Sequence, residues 1–168
     1  MHNLAFYYII LKLIMKILIR KANIKDAVKI QKLIAYFANK DIMLSRSLIY
    51  LYENIRDYYV VTSGSELLGC CALHICWENL AEVKSLAVSE STQTKGIGKK
   101  LVNACIKEAK ALRIKKVFCL TYVVDFFRKF GFRKIDRKKL PHQIWTEGLQ
   151  CPKFPNCDEQ AMMLVLKN

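Results

Sequence analysis

The spacing of apolar and polar residues along the chain predicts alternating strands and helices. Apolar residues recur every three or four positions after Asn23 and again after Gly98, which is the pattern of an amphipathic helix. Another helix is expected after Ser45 or Ser47, either of which can cap it, and should end at Asp57. A short helix is expected at "VDFFRKF" before Gly131. Runs rich in β-branched and aromatic residues predict the strands, namely "KILIRKA", "YYVVT", "LLGCCALHIC", "AEVKSLAV", "KKVFCLT", "FRKID" and "AMMLVL".

The order of these elements, β-α-α-β-β-β-α-β-α-β, indicates an α/β domain with a mixed sheet. The turn "SGSE" joins two of the strands as a hairpin, so those strands should pair antiparallel. The run "AEVKSLAV" is typical of a strand buried on both faces, and the helix between it and "KKVFCLT" is a crossover connection. A strand, a crossover helix and a second strand predict a parallel pair.

The first 14 residues are apolar but interrupted by Lys12, and they are too few to span a bilayer comfortably. They also lack the small-residue cleavage site of a secretory signal. We therefore expect an N-terminal extension of doubtful role over residues 1–14 and one domain over residues 15–168, without stable membrane insertion. A weak membrane-surface anchor is the alternative for the extension.

The chain has 168 residues, of which 53% are hydrophobic, and this is enough for the core of one domain. Its net charge of +14 predicts an anionic partner, which leaves nucleic acids, phosphorylated cofactors and acidic metabolites open. No recognition-helix pattern or RNA-binding aromatic motif is present, so nucleic acid is disfavoured. Between Ser91 and Leu120, eight Lys and Arg residues accompany one acid, Glu108, so the positive charge is concentrated around one predicted loop and helix.

Cysteine usage indicates the compartment. The seven cysteines are odd in number and several lie in apolar strands, which predicts free thiols in a reducing cytoplasm. Cys151 and Cys157 are separated by five residues in the tail, and two ligands do not make a structural zinc site, so no metal is predicted.

The loop "QTKGIG" lies between a predicted buried strand and a helix start, where unpaired N–H groups and the helix dipole favour an anion. Gly96 and Gly98 would let the backbone approach a phosphate, and Lys95 and Lys99 add charge. The motif does not match a dinucleotide-binding loop, because Leu101 stands in place of the third glycine. It also lacks the G-K-[ST] of an ATP-binding loop. An ordinary helix-start loop remains the alternative.

These six residues resemble the Q/R-x-x-G-x-G/A signature of the GNAT superfamily of N-acetyltransferases, matched at Gln93, Gly96 and Gly98. The segments "MLSRSLIYLYENIRDYYV", "LLGCCALHICWENLAEVKSLAVS" and "VFCLTYVVDFFRKFGF" extend the likeness over most of the chain. They resemble short bacterial amino-acid N-acetyltransferases and the acetyltransferase domain of N-acetylglutamate synthase. The resemblance implies a single GNAT-like domain, a mixed central sheet with helices on both faces, and acetyl-CoA as co-substrate.

The resemblance also implies which residues surround acetyl-CoA. The strand before the loop would hold the thioester and the pantetheine arm, and the loop would hold the pyrophosphate. The implied cofactor-binding residues are Leu86, Ala87, Val88, Gln93, Thr94, Lys95, Gly96, Ile97, Gly98, Lys99 and Phe127.

Acetylation of an amine needs a base for the ammonium, a polarised carbonyl and a proton for the leaving thiolate. By the resemblance, Glu82 is the base, directly or through a water; the structural alternative is a salt bridge with Lys84. Thr121 and Tyr122 end the next strand at the carboxyl edge, where α/β sheets bind ligands, and they could orient groups or return the proton. Phe127 stands where the family usually has a tyrosine acid, so that acid is missing.

Arg46 is the candidate for recognising the acceptor, because a guanidinium matches a carboxylate bidentately, and Lys84 could assist it. The resemblance implies acetyl transfer to the α-amino group of an amino acid, with L-glutamate and arginine biosynthesis as the preferred assignment. The alternatives are another small amine, a protein amine, or a non-catalytic CoA-binding domain. A homodimer is left open.

Overall fold

The computed structural model describes residues 17–141 and 158–167, so the predicted extension, Cys151 and Cys157 lie outside the described residues. The strands are β1 (Ile17–Lys21), β2 (Tyr58–Ser63), β3 (Glu66–Trp77), β4 (Leu80–Val88), β5 (Lys116–Thr121), β6 (Arg133–Lys134) and β7 (Gln160–Val165). The α-helices are α1 (Ala27–Ala38), α2 (Leu48–Glu53), α3 (Ile97–Ala111) and α4 (Val124–Arg128).

The described strands form one sheet in the order β1-β2-β3-β4-β5-β7-β6. β4 and β5 are parallel, joined by the crossover helix α3, and every other neighbouring pair is antiparallel. The predicted α/β fold with a mixed sheet is therefore confirmed. None of the helices within the described ranges is long and apolar enough to cross a membrane.

Helices cover both faces of this sheet. Val61 and Cys71 belong to the core cluster that contains the buried side of α3. Val60 and Cys70, their immediate neighbours in sequence, belong to the cluster formed with α1 and α2. Neighbouring residues divide in this way because side chains alternate between the faces of a strand.

A polar network caps the 3-10 turn, Ile24–Asp26, that leads into α1. Asn23 accepts a hydrogen bond from the Lys25 backbone N–H and donates its own N–H to the Asp26 carboxylate at 2.8 Å, which forms a capping box. Arg20 donates two hydrogen bonds to the same carboxylate, at 2.7 and 3.0 Å. These bonds hold the pKa of Asp26 below its usual value, chiefly through the contact with Arg20.

The second helix is shorter than its apolar pattern predicts. Ser47 caps α2 by accepting from the Tyr50 backbone N–H at 3.1 Å. The helix ends before Asn54, whose backbone and side-chain N–H groups both donate to the Tyr50 carbonyl, at 3.1 and 2.8 Å. A separate 3-10 turn then leads to Asp57, where the helix was expected to end.

Candidate active site

The parallel strands β4 and β5 separate towards their carboxyl ends. Their pairing ends at Glu82 opposite Phe118, although β4 continues to Val88 and β5 to Thr121. The opening between them is part of a cleft of about 370 Å³, a size that suits a small ligand. Nine of the predicted site residues line this cleft: Arg46, Lys84, Leu86, Ala87, Val88, Gln93, Thr121, Tyr122 and Phe127.

A β-bulge shapes the β4 wall. The register with β3 shifts by one residue between Cys70 and Ala72, and Ser85 is at the extra position on β4. Ser85 has a φ of 52°, in the left-handed region that non-glycine residues seldom adopt. Ser85 and the three residues after it all line the cleft. The two strands thus separate after Glu82, and the bulge lies three residues beyond this last paired residue of β4.

The two glycines of the loop have different environments. Gly96 has a φ of 72° and joins a 3-10 turn, Glu90–Lys95, to the first residue of α3. This left-handed conformation by itself favours glycine at position 96, whether or not a phosphate approaches the backbone there. A Cβ added at Gly98 would lie 3.4 Å from the Phe126 ring, which is ordinary contact. Ile97 is fully buried, so only its backbone could face a ligand.

The rest of the loop connects the cleft to the helix start. Gln93 lines the cleft and donates from Nε2 to the Val88 carbonyl at 3.3 Å, which ties the loop to the end of β4. Lys95 and Lys99 are exposed around the N-terminus of α3, and Thr94 lies within the 3-10 turn. Exposed cations and a helix N-terminus make this region favourable for an anion.

Two carboxylates, Glu82 and Glu159, lie at or next to the cleft. Glu82 is half-buried, and its Oε2 lies 3.5 Å from Lys84 Nζ. Among the described residues, its neighbour Val83 lines the cleft and Glu82 itself does not. Glu159 does line the cleft, and its Oε2 is 4.0 Å from Arg137 Nη2. Sequence reasoning missed Glu159, because only the sheet order, with β7 next to β5, brings it to this edge.

At the β5 end, three predicted residues line the cleft with different chemistry. The Thr121 hydroxyl accepts from the Val123 backbone N–H at 3.0 Å, so it holds the chain where it leaves the strand. The Tyr122 hydroxyl donates to Asp158 Oδ1 at 2.9 Å and is partly exposed. Phe127 is buried against Phe132, with ring centroids 5.4 Å apart, and provides an apolar surface without a proton.

On the opposite wall, the two predicted acceptor-binding cations share an aromatic ring. The Arg46 guanidinium lies 4.6 Å from the centroid of Tyr50, and Lys84 Nζ lies 5.7 Å from the same centroid. Both distances are within the range of cation–π attraction. Tyr50 was not predicted as a site residue; its spacing of four from Arg46, across a helix start, is the signal in the sequence.

The chain is 36% identical over 148 residues to an uncharacterized N-acetyltransferase of Chlorobaculum tepidum, covering 88% of this chain and 96% of that protein. It is 30% identical over 132 residues to a protein of Mycobacterium tuberculosis named amino-acid acetyltransferase, covering 77% of this chain and 75% of that one. The structure is similar to that of N-acetylglutamate synthase from Neisseria gonorrhoeae complexed with coenzyme A and N-acetyl-glutamate, with a TM-score of 0.82 and 25% identity. That match covers 91% of this chain and 36% of the Neisseria chain.

A family model supports the same grouping. The model for the acetyltransferase (GNAT) family matches residues 26–132, which include the separated strands, the bulge and the Gly loop. Because that match covers more than half of the chain, and because the Chlorobaculum relative is similar over nearly its whole length, the chain belongs to the acetyltransferase (GNAT) family of N-acetyltransferases, whose enzymes use acetyl-CoA as co-substrate.

Proposed function

We propose that this protein transfers the acetyl group of acetyl-CoA to the α-amino group of an amino acid, with L-glutamate as the first candidate. The observation that carries the proposal is the position of Arg46 and Lys84, two cations that line the same cleft as the bulged β4 wall. An acceptor with carboxylates would be held there by charge-assisted hydrogen bonds. The names of the Mycobacterium and Neisseria proteins support an amino-acid acceptor.

The burial of the cations strengthens this assignment. The Lys84 side chain is only 6% exposed, and a buried ammonium needs a nearby anion to offset its lost hydration. Glu82 supplies one carboxylate at 3.5 Å, and an acceptor carboxylate would supply another on the cleft side. Arg46 adds a planar donor set at the same wall, so a dicarboxylate such as glutamate is favoured over a simple amine.

The reaction needs no covalent acetyl-enzyme. Glu82 takes a proton from the acceptor ammonium, directly or through a water, and the neutral amine attacks the thioester carbonyl carbon. Backbone N–H groups of β4 between Leu86 and Val88 stabilise the negative charge on the carbonyl oxygen. The C–S bond then breaks as the amide forms, the attacking nitrogen releases its second proton to solvent, and the CoA thiolate takes up a proton.

The source of that proton differs from the family's usual arrangement. Phe127 has no proton to give, and Thr121 is an orienting residue because its hydroxyl accepts from the chain. Tyr122 is the one phenol on the part of the cleft wall that the structure describes. Its proton is directed at Asp158 Oδ1, so it acts as the acid only after leaving that contact, and water is the other source.

In the cell, we propose a cytoplasmic enzyme of amino-acid metabolism, with arginine biosynthesis as the pathway if glutamate is the acceptor. A thiol-release screen with acetyl-CoA and each of the twenty amino acids tests the proposal, with the acetylated product identified by mass spectrometry. We expect the highest rate with glutamate. CoA binding without release for any amino acid would favour a non-catalytic CoA-binding domain, and release only with other amines would reassign the acceptor.

A further inference from the structure

The bulge of β4 is held by side chains that the acetyl-transfer chemistry does not use. Tyr58 donates a hydrogen bond from its hydroxyl to Ser85 Oγ at 3.3 Å, and Cys70 Sγ donates to the Ser85 carbonyl at 3.6 Å. Ser85 is the residue with a φ of 52° at the register shift. A non-glycine residue keeps such a conformation only where its surroundings fix it.

The phenol reaches Ser85 across a whole strand. Tyr58 is on β2, Ser85 is on β4, and β3 lies between them. The residue of β3 directly opposite Tyr58 is the small Ala72, and both belong to the buried cluster on that face of the sheet. Tyr58 is 1% exposed, and burial raises the pKa of its hydroxyl, so the group is a neutral donor at neutral pH.

We propose that Tyr58 and Ser85 form an anchor that sets the register of the acetyl-CoA wall, which makes Tyr58 a positioning residue for acetyl transfer. The anchor lies immediately before Leu86, Ala87 and Val88, and all three line the cleft. A loss of the anchor lets the bulge relax towards regular pairing with β3, which turns alternate backbone N–H groups and side chains to the other face. The proposal rests on the family's use of acetyl-CoA and not on the identity of the acceptor.

The test uses Tyr58→Phe, Ser85→Ala and the double variant, with Tyr59→Phe as the matched control. Tyr59 is the next residue on β2, and its ring packs against Lys21 on the other side of the sheet. Calorimetry with CoA and steady-state kinetics are measured for each variant, after a thermal melt shows that it is folded. Calorimetry needs no acceptor, so this test still works if the proposed amino-acid activity fails.

We expect Tyr58→Phe and Ser85→Ala each to weaken CoA binding and kcat about two- to twelvefold, the ratio that corresponds to one neutral hydrogen bond. The double variant should lose little more than either single variant, and KM for the acceptor should not change. Ser85→Gly should lose less than Ser85→Ala, because glycine adopts a positive φ without strain. Tyr59→Phe should resemble the wild type.

Three results would overturn the anchor. Wild-type CoA affinity and kcat in a folded Tyr58→Phe is one, and fully additive losses in the double variant are another. The third is an equal loss in Tyr59→Phe, which would show a general effect of the β2 tyrosines. If Tyr58→Phe does not fold, Ser85→Ala and Ser85→Gly decide the question. A smaller loss of CoA affinity in Ser85→Gly than in Ser85→Ala would support a strained bulge held by the hydroxyl. Wild-type CoA affinity in both variants would show that the bulge does not depend on that hydroxyl.

Discussion

Glu82 and Lys84 form an ion pair on one face of β4, with 3.5 Å between Oε2 and Nζ and side-chain exposures of 12% and 6%. Residues two apart on a strand share a face, so the proposed base and one proposed carboxylate-binding cation are fixed together. An amino-acid substrate whose carboxylate binds Lys84 would have its α-amino group near Glu82. In the proposed mechanism, this pair links acceptor binding to proton removal.

Glu82→Gln tests the base. The amide keeps the shape of the side chain and cannot take a proton, so kcat at neutral pH should fall by on the order of 10²–10⁴. The loss should shrink as the pH approaches the pKa of the acceptor amine, because the neutral amine then forms unaided. The pH dependence of kcat checks this, with exposed Glu78→Gln as the control.

Glu159→Gln is the competing variant, since Glu159 lines the cleft, whereas Glu82 is the neighbour of the lining residue Val83. If Glu82 is the base, Glu159→Gln should keep a kcat within about tenfold of the wild type. A larger loss in Glu159→Gln than in Glu82→Gln would transfer the role to Glu159.

Arg46→Ala tests acceptor recognition. A charge-assisted pair contributes roughly 1.5–3 kcal/mol, so KM for glutamate should rise by on the order of 10–150-fold while CoA affinity stays the same. Arg46→Lys should recover part of the loss, because it keeps the charge without the planar fork. Arg56→Ala, at an exposed position, is the control.

Glutamine distinguishes which carboxylate Arg46 holds. If Arg46 contacts the side-chain carboxylate, the wild type should prefer glutamate over glutamine, and Arg46→Ala should lose that preference. If it contacts the α-carboxylate, both acceptors should lose alike. An unchanged KM for every accepted amino acid would remove Arg46 from the site.

Tyr50→Leu and Tyr50→Phe test the shared ring. The leucine variant removes the surface that both cations contact, and cation–π contacts of about 0.5–2 kcal/mol predict a KM for glutamate raised by about 2–30-fold. The phenylalanine variant keeps the ring and removes a buried hydroxyl that has no hydrogen-bond partner among the described residues. Its KM for glutamate should equal that of the wild type, and its melting temperature should equal or exceed the wild-type value. Equal kinetic losses in the two variants would contradict a role for the ring.

Gly98→Ala tests the loop more cleanly than a change at Gly96. An alanine at 96 is strained by the positive φ and should cost about 1–2 kcal/mol of stability. At Gly98 the added methyl meets Phe126 at 3.4 Å, so the fold should be kept while the approach of a phosphate is hindered. Calorimetry with CoA should show weaker binding for Gly98→Ala at an unchanged melting temperature. Unaltered CoA affinity in that variant would contradict the phosphate-binding loop.

The sequence carried most of the fold because each element has a local pattern. The crossover helix predicted the parallel pair of strands. The residues of "QTKGIG" and their position between a strand and a helix predicted the Gly loop. The bulge was also encoded and was missed: Val83, Leu86 and Val88 pack on one face, with a spacing of three and then two, which marks an extra residue. Regular alternation along the strand would have placed residues 83, 85 and 87 on that face.

Other parts of the site had no local signal. Glu159 reaches the cleft because β7 inserts between β5 and β6, and antiparallel insertion of a distant strand depends on the whole sheet. The contact between Tyr58 and Ser85 crosses β3 and joins residues 27 apart in sequence. Pairings of this kind are set by tertiary packing, which periodicity in one segment does not report.

The rate of thiol release from acetyl-CoA with L-glutamate tests the central claim most directly, with glutarate as the comparison, since it has both carboxylates and no amine. We predict saturable release with glutamate, N-acetylglutamate as the product, and inhibition without release by glutarate. Release no faster than the acceptor-free background, for glutamate and for each other amino acid, by a folded protein that binds CoA, would contradict the assignment of this protein as an amino-acid N-acetyltransferase.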